Sequence, residues 1–123
     1  MVSLTKGEGF GRPLLEFTQS KKPILATNWS GHLDFLNTGF TTLIPGVLTN
    51  VHPSAANQFL MKEAQWFSPD TIQASKAFHD IFLNYKKWEK LALKQRQYNF
   101  ENYSWDKVAD LLYDYFYWII KKN

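Results

Sequence analysis

The sequence contains no cysteine among its 123 residues. That excludes a disulfide framework and any thiolate metal site, and it suits a reducing compartment. No apolar run is long enough to cross a bilayer. The longest apolar block, 111–120, is interrupted by Asp114 and is rich in tyrosine. The first residues carry charges and glycines where a secretory signal would carry an apolar core. No internal repeat, low-complexity tract or clear linker is evident. Charge is modest: a formal net charge of +3 and a pI of about 9.1. This suits anionic ligands or an anionic membrane surface, and it falls short of the clustered charge of a nucleic-acid binder. His52 and His79 lack acidic or histidine partners at ligand spacing, so no metal is expected.

What is present is a chain with 45% hydrophobic and 17% aromatic residues. It is long enough for one small domain with a real core. So many aromatics imply either a rich core or an apolar face meant for another domain. The order of elements predicts an α/β fold. Val2–Thr5 reads as a strand that opens the chain abruptly, as if continuing from upstream sequence. Gly7–Gly11 is a turn, and Arg12-Pro13 starts a helix ending near Thr18–Lys21. The apolar run Lys22–Thr27 is a second strand of the buried parallel kind. Asn28–Gly31 is the next turn, His32–Leu36 a short helix, and Thr41–Ile44 a third strand. Val47–Asn57 reads as a loop, Ala55–Lys62 as a helical turn, and Ala64–Phe67 as an edge strand.

Ser68-Pro69-Asp70 predicts a helix start, with Ser68 as N-cap and Pro69 at the first helical position. Ala74, Phe78, Ile81, Phe82 and Tyr85 fall on one face of that helix. The pattern continues through Trp88, Leu91, Ala92, Gln95 and Tyr98, with a bend near Asn84, and breaks over Asn99–Tyr103. Ser104 caps a last helix with Asp106 in its first turn. Val108, Leu111, Leu112, Tyr115, Phe116 and Ile119 give it a core stripe, which Tyr113, Tyr117 and Trp118 widen. One partial domain is expected, with sheet and loops over 1–67 and helices over 68–123.

The chemistry concentrates in Lys6–Glu16. Gly9 and Gly11, without a Cβ, let a phosphate approach the backbone closely, and Arg12 adds a cation. The plainer reading is that the glycines only make a tight turn. Their spacing matches neither the dinucleotide fingerprint nor the Walker loop. Glu8 in the loop and Glu16 about one helical turn beyond Arg12 would both face one crevice. Carboxylates there suit the hydroxyls of a nucleotide sugar; alternatively, Glu16 is a solvated helix residue. Consecutive loops at the carboxyl ends of neighbouring parallel strands are where open α/β sheets bind ligands.

Glu8-Gly9-Phe10-Gly11-Arg12-Pro13-Leu14-Leu15-Glu16 resembles the E-x7-E signature of retaining GT-B glycosyltransferases, written E-G-F-G-x-P-x-x-E. Pro23–Gly31 resembles the strand and turn that follow it in that family, and Ser104-Trp105 resembles its C-terminal "fsW" segment. The resemblance spans nearly the whole chain but only about the last third of a family member. It implies a partial Rossmann-like, GT-B C-terminal domain that binds a nucleotide diphosphate sugar, with transfer of a hexosyl group and retention at the anomeric carbon. Glu8 would be the catalytic-site carboxylate on the donor sugar. The amides of Gly9, Phe10 and Gly11, with Arg12, would hold sugar or diphosphate, and Glu16 the ribose. No cofactor or metal is implied.

Asn28, Trp29, Ser30 and His32 are candidate pocket residues. Trp29 would wall the pocket or simply pack, and His32 would touch a phosphate or merely cap. Asn28–Asp34 departs from the family's glycine-rich turn, Asp34 standing where a glutamate is commoner. The family's N-terminal acceptor domain, the first strands of its donor domain and their basic residues are missing, so a further domain or partner chain is expected to complete the cleft. The expected location is cytoplasmic, with peripheral membrane contact. Two other functions compete with the enzyme segment. One is a non-catalytic nucleotide-sugar binding or protein-interaction module. The other is a membrane-surface protein using 111–122.

Overall fold

The computed structural model describes residues 1–57, 59–61 and 63–122. Strands β1 (Val2–Ser3), β2 (Leu25–Thr27) and β3 (Thr42–Ile44) form a parallel sheet in the order 1-2-3, joined by helices α1 (Arg12–Thr18) and α2 (Leu33–Leu36). Strands β4 (Gly46–Asn50) and β5 (Gln65–Pro69) form a separate antiparallel pair. Three helices complete the chain: α3 (Thr71–Leu83), α4 (Tyr85–Tyr103) and α5 (Trp105–Lys122). The chain is therefore α/β, with a helical C-terminal part, as the order of its apolar runs implies.

The two-residue period of β2 explains why its sequence is continuously apolar. Ile24 and Ala26 join Leu14, Phe35 and Leu36 on one side of the sheet, and Leu25 joins Ile44 and Ala74 on the other. All three residues of β2 are buried, because helices cover both faces. Burying each large aliphatic chain contributes roughly 1.5–3 kcal/mol.

Several expectations are corrected. The segment 46–50 is a strand rather than a loop. Its side chains are mostly exposed, so no alternating pattern marks it, and only its pairing with β5 defines it. The expected helical turn over Ala55–Lys62 is a single 3-10 turn at Pro53–Ala55; Gln58 and Lys62, within that stretch, lie outside the described residues. The strand expected at Ala64–Phe67 is present as β5, which runs on to Pro69 and pairs with β4 alone. That pairing draws in Ser68 and Pro69, which face Val47 and Gly46, so the cap of α3 moves to Asp70. Its Oδ1 accepts from the Ile72 and Gln73 N–H groups at 2.9 and 3.0 Å.

Helix α3 meets the sheet through Ala74, Ala77 and Ile81, while Phe78 and Phe82 stay exposed. The small residues permit close approach, which leaves the phenylalanines on the flank. The bend at Asn84 is present, but Asn99–Tyr103 does not break α4. Asn99 and Gln95, both about fully buried, form an amide ladder. Gln95 Nε2 donates to Phe35 O at 2.6 Å and to Asn99 Oδ1 at 3.1 Å. Asn99 Nδ2 donates to Thr18 Oγ1 at 3.1 Å. A second polar bond joins Thr38 to Gln95. The ladder stitches α4 to α1 and to the segment around α2.

Ser104 does cap α5, its Oγ accepting from Lys107 N–H at 3.3 Å. The expected core stripe of α5 is overturned: Leu111, Leu112, Tyr115 and Phe116 are each more than half exposed. The helix carries an apolar face, and none of its described residues is buried.

Candidate functional site

The loops after β1 and β2 lie side by side because those strands are parallel neighbours. They are locked together by the Ser30 hydroxyl and the Gly31 amide on the Glu8 backbone. Glu8 N–H donates to Ser30 Oγ at 2.8 Å, Ser30 Oγ–H donates to Glu8 O, and Gly31 N–H donates to the same carbonyl at 3.0 Å. Ser30 holds a φ of +84° to make this latch. That left-handed conformation is costly for a residue with a Cβ and persists only where surroundings enforce it. Gly31 must be glycine: a Cβ there would lie 1.7 Å from Gly9 O. Gly11, at φ +86°, turns the chain into α1, and a Cβ there would lie 2.9 Å from His32 Cβ.

The latch fixes Glu8 by its backbone and leaves the carboxylate unbonded among the described residues. The N–H groups of Gly9, Phe10 and Gly11 likewise donate to no described partner. Gly9 is exposed, with nothing within 4 Å of a Cβ position. Gly9 and Phe10 are exposed and Gly11 is buried, so the loop offers a carboxylate and the free donors of Gly9 and Phe10, groups that suit a polyhydroxyl ligand carrying an anionic group.

The other candidates fall in distinct places. Phe10 turns its ring inward against Phe35 (5.2 Å between centroids) and Tyr103 (6.1 Å). The Tyr103 hydroxyl donates to Asp34 O at 2.7 Å. Burial, with Tyr98 and Asp34 nearby, raises the pKa of that phenol, so it remains a donor. Asn28 holds the strand end by its N–H to Ile44 O at 2.8 Å. Trp29 stacks on Phe67 at 5.8 Å and remains 40% exposed, so it both packs and offers an edge.

His32 is completely buried. Its Nε2 lies 2.6 Å from Thr27 O, while Nδ1 has no partner among the described residues. Since Thr27 O can only accept, Nε2 donates to it. His32 is thus a structural pin beneath the loops; its side chain neither caps α2 nor faces water.

Arg12 is an exposed helix residue with an ion-pair partner on its own helix. Its Nε pairs with Glu16 Oε1 at 3.0 Å, on a face where both side chains are well exposed. These two line a groove of about 500 Å³ between α1 and the α4–α5 joint, with Leu15, Phe100, Tyr103 and Trp105. Glu8 is not among its lining residues. Phe67, Tyr103 and Lys6 also shape the site, with Lys6 Nζ 3.8 Å over the Trp66 ring and Phe67 N–H on Lys6 O. No local signal in the sequence points to Phe67 or Tyr103, since each arrives from a distant segment, whereas Lys6 borders the glycine-rich turn itself.

Among the described residues no group of three or more His, Asp or Glu is placed to hold a metal ion. Comparison with protein-family models, curated proteins and solved structures returns no match.

Proposed function

We propose that this chain is the nucleotide-sugar donor-binding segment of a retaining GT-B glycosyltransferase, its sheet and loops being part of a Rossmann-like domain. The observation that carries the reading is the Glu8–Ser30–Gly31 latch. It sets a free carboxylate and the unengaged amides of Gly9, Phe10 and Gly11 at the carboxyl ends of two parallel strands, where α/β sheets take ligands. Glu8 would accept hydrogen bonds from donor-sugar hydroxyls. The loop amides would hold the diphosphate and stabilise the charge it gains as it leaves, without a covalent intermediate. Glu16, beside the aromatic groove, would take the ribose. A further domain or partner chain would supply the acceptor side.

A second reading is non-catalytic binding of the same ligands. It is favoured by the engagement of both cations flanking the loop, Lys6 on Trp66 and Arg12 on Glu16. Calorimetric titration with nucleoside diphosphates and nucleotide sugars tests both readings. Saturable binding that Glu8→Ala and Glu16→Ala each weaken supports the donor site. No binding, or binding indifferent to both substitutions, refutes it. Sugar transfer measured with the chain alone would overturn the expectation that it is incomplete.

A further inference from the structure

Helix α4 begins against its own electrostatics. Lys86 and Lys87 lie in its first turn and Lys90 and Lys94 follow one and two turns later, with no acidic residue in the first turn and no basic one in the last. Cations near a helix N-terminus oppose the macrodipole. Helix α5 shows the stabilising order, with Asp106 first and Lys121-Lys122 last. Lys87 lies 5.1 Å over the Trp88 ring and close enough to Asp80 to favour its charged form, and Lys94 lies 5.9 Å over the Phe40 ring, whereas Lys86 and Lys90 make no such contact among the described residues. Asp80, the nearest acid at the helix junction, is committed to Asn84 Nδ2 at 2.7 Å and Trp88 Nε1 at 2.8 Å.

The lysines adjoin apolar surface. Two shallow hollows share Lys86 and Lys87: one is lined also by Leu83, Asn84 and Tyr85, the other by Lys90, Leu91 and Lys94. Leu83 is 63% exposed, and its neighbour Phe82 is 74% exposed. The buried side of α4, at Ala92, Gln95 and Asn99, faces the core. The α3–α4 elbow thus carries exposed apolar side chains beside a row of lysines, its two helices tied by the hydrogen bonds of Asp80.

We propose that this elbow docks on an anionic phospholipid surface, with Phe82, Leu83 and Tyr85 at the headgroup boundary and Lys86, Lys87, Lys90 and Lys94 on lipid phosphates. Charge and apolar contact act together there, and the lysine stems lie along apolar surface while their heads reach the phosphates. The elbow lies apart from 111–122, and the proposal does not depend on the donor-site reading.

The test is co-sedimentation of the full chain with vesicles of phosphatidylcholine alone and with phosphatidylglycerol added. Binding is expected only with the anionic lipid and should weaken as salt rises. Each lysine near such a surface contributes about fivefold, so Lys86→Gln with Lys90→Gln should weaken binding about twenty-fivefold. Phe82→Ser with Leu83→Ser should weaken it while leaving the circular dichroism spectrum unchanged. Equal binding to both vesicle types, or binding lost on Trp118→Ala but indifferent to the lysine pair, would overturn the assignment. So would the absence of binding to anionic vesicles at low salt, which would leave an acidic protein as the partner for this surface.

Discussion

A Cβ placed on Gly31 would fall 1.7 Å from the carbonyl oxygen of Gly9, so the two loops of the candidate site touch through bare backbone. The turn after β2 serves as the floor on which the turn after β1 rests. Gly31→Ala should therefore separate the loops, costing about 2–4 kcal/mol of stability. Gly9→Ala, with open space around its Cβ position, should fold as stably as the parent. Chemical denaturation of the two variants checks the contrast, and equal stabilities would show that the loops are not packed in this way.

The Gln95–Asn99–Thr18 ladder should matter more than its polar composition suggests. Asn99→Ala leaves Thr18 Oγ1 and the Gln95 amide short of a partner inside the core. An unsatisfied buried group costs about 1–3 kcal/mol. A lowered denaturation midpoint of that size, with the far-ultraviolet spectrum retained, is the expected outcome.

Arg12→Ala should barely move stability, by about 0.5 kcal/mol or less, because the pair with Glu16 is well exposed. Under the donor-site reading the same change should weaken nucleoside diphosphate binding several-fold, since Glu16 would then face the ligand uncompensated. Denaturation and calorimetry on the one variant separate the two effects.

Hydrogen bonds from Trp88 and Asn84 hold the Asp80 carboxyl below the usual aspartate range. A carboxylate with a depressed folded value adds stability that is complete above its unfolded value and lost as pH falls through the folded one. The Trp88 indole N–H resonance should accordingly stay in place through neutral and mildly acidic pH. It should shift only when pH drops below the ordinary aspartate range. Asp80→Asn should remove that titration and loosen the α3–α4 elbow.

Much of this architecture is visible in local chemistry. The run Lys22–Thr27 reads as a buried strand, realised over Leu25–Thr27, and Gly9-Phe10-Gly11-Arg12-Pro13 reads as a turn into a helix, because each state is set by side chains adjacent in the chain. Ser104 reads as a cap for the same reason. The failures share a cause. Strand β4 has no alternation of its own and exists by pairing with β5. Ser68 would cap a helix if β5 did not claim it. Asn99 would interrupt a helix in water, but Thr18 and Gln95 satisfy it.

The site divides in the same way. Sequence alone determined that Glu8 sits in a glycine-rich turn after a strand and that Glu16 follows one turn into a helix. Only the tertiary structure decided that Ser30, at positive φ, latches the Glu8 backbone, that His32 is a buried pin, and that Arg12 is held by Glu16. It also decided that the apolar face of α5 stays uncovered in the described structure. Periodicity records which face of a helix is apolar. What covers that face depends on surfaces brought together from elsewhere, and no local pattern encodes their arrival.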